Sequence, residues 1–448
     1  MRNRQESHSN SKRALIVAYH YPPIASGGVE RTLKFIQYLP EFGYEATVLT
    51  TSAFGQFPLN DHVLRAWEPL GLYRYLFNRI SSGDRQQYSS TRTISPISKP
   101  IQWLRRWLFV PDGQIMWLPV ALVKALNFVR NNDACVIYTT SPPASAHLIG
   151  LVLQRYTDLP WVADFRDSWT YDPLDPELAS MPRRLKLERR MEECVVNCAD
   201  SVVTTTEASA DYLTTAYPDM KKTVDLISNG FDPSETNANS IPTKLEHSIT
   251  RKAGLLDPML VVHTGSFAAS HPHRSPETLF QAFESLLNED ETWRERIHLL
   301  LVGNLTPHER SAAASLVCAG VVEIRSEVNR ILALEFQRQA DVLVLVDHPR
   351  NWPSSNVPGK FFEYAATGNP ILSLCGDGMV AKFMNRLQSG ICVSPEDAAA
   401  ISRALKQFYS NHRNGIAQGA DPIHLRPFHR RELTRKLATC FDRVIQTH

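Results

Sequence analysis

The sequence predicts an α/β protein built from two doubly wound domains, and three observations predict it. Short apolar runs alternate with helix-length amphipathic segments along most of the chain. The runs are apolar on both faces, the pattern of parallel strands covered by helices on each side of a sheet. The alternation also occurs twice, in two series separated by a polar stretch over 232–257 rich in Pro, Asn, Ser and Thr. A chain of 448 residues has the length for more than one core.

The first series opens with Ala14–Tyr19 as a buried strand and Val29–Phe42 as a helix. Ala46–Thr50 is the next strand, entered through the helix-stopping Gly43. Further strands are expected at Cys135–Tyr138, Trp161–Ala163, Ser201–Thr204 and Val224–Ile227. The second series comprises Leu260–His263, Ile297–Val302, Val321–Arg325, Val342–Val346, Pro370–Leu374 and Gly390–Val393. Domain one is placed at 1–235 and domain two at 255–425. A C-terminal helix within 426–448, centred on Arg430–Thr447, can pack on either.

Composition narrows the class. Hydrophobic residues are 43% and charged residues 21%, ordinary globular usage. Lys plus Arg (48) nearly balance Asp plus Glu (46), a net +2, so no nucleic-acid partner is expected. The longest mostly apolar stretch, Ile115–Val129, is broken by Pro119 and Lys124 and falls short of the ~20 residues a membrane span needs. The first residues, MRNRQESHSNSK, lack the apolar core of a secretory signal. Seven scattered cysteines fit a reducing compartment, so a cytoplasmic location is expected. Cys194 and Cys198 lie one helical turn apart with no second pair or nearby His, and a zinc site is not expected.

An insertion over about 52–115 breaks the alternation. Between Tyr73 and Arg106 stand seven basic residues and one acidic, a local +6, interleaved with aromatic residues. Its end, from Ile101 to Phe109, can form a short helix with Trp and Leu on one side and Arg105 and Arg106 on the other. Two readings stay open: a segment lying in an anionic membrane surface, or a surface helix whose Trp side chains pack into domain one.

The candidate chemistry lies where strands end. After the first strand, Gly27 and Gly28 precede a helix, leaving backbone N–H groups free to approach a phosphate or a sugar hydroxyl. The loop is not the GxGxxG fingerprint, and no acidic residue caps the second strand, so hydride chemistry is not expected. Asp164, Arg166 and Asp167 follow the strand at Trp161, either as sugar- or acceptor-facing groups or as a structural ion pair. His147 reads as a packed helix residue. In domain two, Gly265 and Ser266 form a tight turn, and Arg274 can pair with a pyrophosphate. Pro358, Gly359 and Lys360 open a helix in which Glu363 can accept two ribose hydroxyls.

In their order, Gly27-Gly28, Asp164-Phe-Arg-Asp167, Ser228-Asn-Gly-Phe-Asp232, Thr264-Gly-Ser266 with Arg274, and Pro358-Gly-Lys-Phe-Phe-Glu-Tyr resemble family 4 glycosyltransferases. The likeness is greatest to the branch that builds bacterial surface polysaccharides, and it runs from about residue 13 to residue 425. It implies the GT-B fold, two Rossmann-like domains facing across a cleft, and transfer of a sugar with retention of configuration. It implies a UDP- or GDP-linked donor held mainly by domain two, a glycan or lipid-linked acceptor on domain one, and neither cofactor nor metal. The candidate catalytic groups are then Asp164, Arg166, Asp167 and Glu363. The donor-binding residues are Gly27, Gly28, Gly265, Ser266, Arg274, Ser355, Val357, Pro358, Gly359, Lys360 and Glu363. The family's active-site pattern has two glutamates separated by seven residues; Glu363 matches the second and Ser355 stands at the first. Ser266 stands where many relatives carry a basic residue. Two alternatives are a sugar-nucleotide epimerase of the same fold and a catalytically silent subunit that binds a glycan or a transferase. The resemblance with the basic stretch places the protein at the cytoplasmic face of the plasma membrane.

Overall fold

The two series of apolar runs form two sheets, every strand pair of which is parallel. The computed structural model describes residues 11–24, 27–55, 62–68, 107–172, 178–220, 222–236, 258–268, 270–271, 273–348, 352–416 and 419–448. The chain divides into unit 1, residues 1–228 with 430–448, and unit 2, residues 229–429.

Unit 1 carries β1 (Lys12–Val17), α1 (Gly27–Tyr38), β2 (Tyr44–Thr51), β3 (Val63–Ala66), α2 (Leu118–Asn131), β4 (Ala134–Ser141) and α3 (Ser145–Thr157). It continues with β5 (Trp161–Phe165), α4 (Pro182–Cys198), β6 (Ser201–Thr204), α5 (Glu207–Ala216) and β7 (Val224–Leu226). The sheet order is β3-β2-β1-β4-β5-β6-β7. Alternate side chains of β1 serve the two faces, as a period of two requires. Leu15 and Val17 pack with Trp117, Ala121, Ile149 and Leu153, while Ala14 and Ile16 pack with Phe35, Leu39, Leu433 and Phe441. The strand β3 was not foreseen, since its Val-Leu-Arg-Ala is mostly half-exposed at the sheet edge.

Unit 2 carries β8 (Met259–Thr264), α6 (Glu277–Glu289), β9 (Ile297–Val302), β10 (Val322–Arg325), α7 (Arg330–Gln339) and β11 (Val342–Val346). Then follow α8 (Gly359–Ala366), β12 (Ile371–Leu374), α9 (Met379–Leu387), β13 (Gly390–Val393) and α10 (Ala398–Arg413). The order is β10-β9-β8-β11-β12-β13. Its core joins Val261, Leu299, Leu301 and Val344 of the sheet to Phe280 and Phe283 of α6 and Leu405 and Phe408 of α10.

The last helix, α11 (Arg430–Thr447), belongs to unit 1. Leu433, Leu437, Phe441 and Val444 recur at helical spacing and are buried. Lys12 reaches Asp442 at 2.6 Å, and Arg431 reaches Glu41 at 2.6 Å. The basic and aromatic stretch at 73–106, with Trp103, Arg105 and Arg106, lies outside the described residues. Among the described residues no helix is long and apolar enough to cross a membrane.

Candidate active site

Each sheet reverses its winding once. Strands β1 to β3 progress toward one edge and β4 to β7 toward the other; β8 to β10 and β11 to β13 repeat the arrangement. At such a reversal the loops leaving two neighbouring strands part, and the carboxyl ends open a crevice for ligands. Gly27 and Gly28 follow β1, and Gly265 and Ser266 follow β8, the strands beside these two points.

In unit 1, Asp164 does not face outward. It is fully buried, and Arg31 grips both of its oxygens at 3.0 and 3.1 Å. The Tyr138 hydroxyl donates at 2.5 Å and that of Thr140 at 3.0 Å. Arg31 also donates to the Ile227 and Ser228 carbonyls at 2.8 and 2.7 Å. This corrects the sugar-facing expectation for Asp164: with its acceptors filled by four hydrogen bonds from Arg31, Tyr138 and Thr140, it is half of a buried ion pair.

Arg166, two residues on, turns its guanidinium to the start of α1. Its guanidinium lies over Gly28 so closely that a Cβ there would fall 2.0 Å from Nη1. A side chain at 28 would displace the end of Arg166 from this place, while Gly27 is the first residue of α1. Asp167 lies 3.5 Å from Arg166 Nε, and both side chains are partly exposed. His20, at the end of β1, stacks on Phe54 with ring centroids 6.0 Å apart. Burial, and then the Arg166 charge, hold His20 down at about 3, which favours the neutral imidazole. His147 packs inside unit 1 against Phe165, as expected.

In unit 2, Gly265 turns with φ +111°, and the Lys360 ammonium occupies the space a Cβ would need, 2.4 Å from that position. Lys360 donates to the Thr264 carbonyl at 2.6 Å. Burial, and then the nearby Arg274 charge, lower Lys360 to about 8, against a smaller opposing pull from Glu363. Arg274 is fixed by Ser270 Oγ at 2.8 Å and lies 3.8 Å from Asp347 at the end of β11. Pro358 is extended and caps α8, and the space above Gly359 is open. Ser266 is half-buried beside these groups.

Glu363 pairs not with Lys360 but with Arg330 at 2.9 Å, and Arg330 also holds Glu235 at 2.9 Å. Sequence reasoning missed Arg330. Its only local signal is its place at the start of α7, behind the Asn329 cap. Ser355 is fully buried, so its side chain is packed rather than presented. Val357 is buried too, and its carbonyl accepts from Asn229 at 3.1 Å. Among the described residues, no three His, Cys, Asp or Glu side chains group as a metal site.

The Glycosyl transferase 4-like domain family matches residues 26–230, and Glycosyl transferases group 1 matches residues 258–411. The chain is a family 4-like GT-B glycosyltransferase. In sequence, no curated protein matches it. In fold, this glycosyltransferase resembles sucrose-phosphate synthase from Thermosynechococcus elongatus, with a TM-score of 0.65 and 15% identity over 98% of this chain and 100% of that one. It also resembles Anabaena HepE, solved in complex with UDP, with a TM-score of 0.61 and 14% identity over 96% of this chain and 100% of that one. WaaG, a glycosyltransferase involved in lipopolysaccharide biosynthesis, gives 0.55 and 13% over 97% of this chain and 99% of that one.

Proposed function

We propose that unit 2 binds a nucleoside-diphosphate sugar and that the enzyme transfers the sugar, with retention of configuration, to a glycan or lipid-linked acceptor on unit 1. The observation that carries this reading is the Lys360 ammonium seated over Gly265, beside Arg274 and the first amides of α8. Breaking a glycosyl–phosphate bond builds negative charge on the leaving diphosphate, and catalysis consists largely of meeting that charge. Lys360 spends one proton on the Thr264 carbonyl, which leaves two for phosphate oxygens. Arg274 supplies a planar fork, and the open helix terminus at Gly359 adds N–H donors. Arg330 steadies one oxygen of Glu363, leaving the other to accept a ribose hydroxyl. Neither a metal nor a cofactor enters this scheme. The bound UDP of HepE accords with a uridine donor.

Calorimetric titration with UDP and GDP, followed by turnover of UDP- and GDP-sugars with a membrane extract, tests the reading. Binding of either nucleotide that is lost in Lys360→Ala supports it. Binding without turnover of any donor favours the silent subunit, and no binding at all rejects the donor site.

The reading includes attachment to an anionic bilayer in surface-polysaccharide synthesis, supported by the local +6 over 73–106 and by exposed Leu108, Met116 and Val123, which follow it in the sequence. Basic residues near an anionic leaflet contribute up to ~1 kcal/mol each. The protein should sediment with anionic liposomes at low salt and be released at high salt. Indifference to such liposomes would remove the lipid-linked acceptor from the reading.

A further inference from the structure

The segment after β5 runs from half-buried Arg166, Asp167 and Ser168 into buried Trp169 and Thr170. It is anchored from α4, α5 and the residues flanking α5. Thr205 donates to the Arg166 carbonyl at 3.0 Å, the Ser168 and Ser209 hydroxyls meet at 3.2 Å, and Tyr171 stacks on Tyr212 at 4.7 Å. The deepest anchors are two carboxylates one turn apart on α4. Trp169 Nε1 donates to Glu188 at 2.9 Å, and Thr170 Oγ1 donates to Glu192 at 2.5 Å. Tyr217 donates to the same Glu192 oxygen at 2.7 Å.

The two carboxylates differ. Glu188 has its cation, Arg184 at 2.7 Å. Glu192 is 1% exposed and makes no ion pair among the described residues. A buried carboxylate without a cation costs stability, so packing alone gives no reason for it at this place. We infer that Glu188 and Glu192 are positioning residues for the transfer reaction, holding the Arg166–Asp172 segment from inside unit 1 and so the Arg166 guanidinium over Gly28. The inference rests on the reading that Arg166 and Asp167 serve the reaction.

The arrangement has a pH signature. Burial pushes Glu192 up to about 7, against hydrogen bonds from Thr170 and Tyr217 and the pull of Arg189 on its own helix. The other titratable groups around it, Tyr212 and Tyr217, are pushed upward and stay neutral. Opening the segment to water returns Glu192 to an ordinary carboxyl. Because the closed form has the higher proton affinity, closure is firmest at low pH and is lost as pH rises through about 7.

Hydrogen exchange of the full chain tests this, read as protection of the amides from Arg166 to Asp172 between pH 5.5 and 8.5. Protection should fall more than about tenfold with rising pH, the effect of one pKa unit. Glu192→Gln should abolish the step, while Glu188→Gln should weaken protection and keep the step. A wild-type segment with no step, or a step that persists in Glu192→Gln, overturns the inference. Turnover with UDP-glucose and GDP-mannose as probes separates the two readings. With the step present and substitution of Glu192 lowering kcat at unchanged donor KM, both stand. If the step is present but Arg166→Ala leaves turnover intact, Glu192 still anchors the segment, but its positioning role in the transfer reaction falls together with the role of Arg166.

Discussion

The two sheet reversals share one topology and treat their charges in opposite ways. In unit 1 the carboxylate at the end of β5 is consumed: Asp164 is enclosed by Arg31, Tyr138 and Thr140. In unit 2, among the described residues, the cation beside β8 hydrogen-bonds only to a carbonyl, and its pKa is lowered to about 8. A charge at a strand end is therefore not a functional sign by itself. What distinguishes the two is whether the fold supplies a strong counter-charge, as with Arg31, or does not, as at Lys360.

The sharpest way to break this contrast is to remove Arg31. Arg31→Ala leaves Asp164 buried and uncompensated, and should cost about 3–5 kcal/mol of unit 1 stability in urea unfolding. UDP or GDP binding to unit 2 should be unaffected in the protein that remains folded. A small stability loss would mean that Asp164 is not the structural pair described. Next in size, Lys360→Ala should weaken nucleoside-diphosphate binding by about 2–4 kcal/mol in calorimetry. In the wild type, affinity should decline as pH rises through about 8, because Lys360 then loses the proton that attracts phosphate. Affinity flat from pH 7 to 9 would place the phosphate elsewhere.

Glu363→Gln is a finer probe. If the carboxylate holds the ribose, affinity should fall by ~1.5–3 kcal/mol, roughly 10- to 100-fold. Unchanged affinity would reduce Glu363 to the partner of Arg330. The smallest expected effect is that of chelation. Turnover in EDTA should equal that in Mg²⁺ if Lys360, Arg274 and helix amides meet the phosphate charge. Loss on chelation, restored by Mg²⁺ or Mn²⁺, would contradict the unit 2 half of the comparison.

The strands were legible because their sequences are apolar on both faces, and those of Ile297–Val302 and Val342–Val346 run as expected. Val63–Ala66 was not, because an edge strand needs only one dry residue. Lys360 and Gly265 were legible as a turn and a helix start, but their mutual seating is a tertiary fact. The fate of Asp164 depended on Arg31, 133 residues away, which no local pattern announces. Glu188 and Glu192 were hidden differently. On a helix reading Arg-Arg-Leu-Lys-Leu-Glu-Arg-Arg, charged residues look solvated, and only the hydroxyls and indole of a distant loop turn two of them inward.

The return of α11 to unit 1 has a consequence for biosynthesis. Unit 2 is a continuous stretch of chain and can fold as soon as it leaves the ribosome. Unit 1 is completed later: Leu433, Leu437 and Phe441 cover the face of its sheet formed by Ala14 and Ile16, and they are translated after all of unit 2. Until then that apolar face stays open, a surface for chaperones to hold and for aggregation to find. A nascent chain stalled before residue 430 should therefore carry a protease-resistant unit 2 and a sensitive unit 1, the reverse of their order of synthesis.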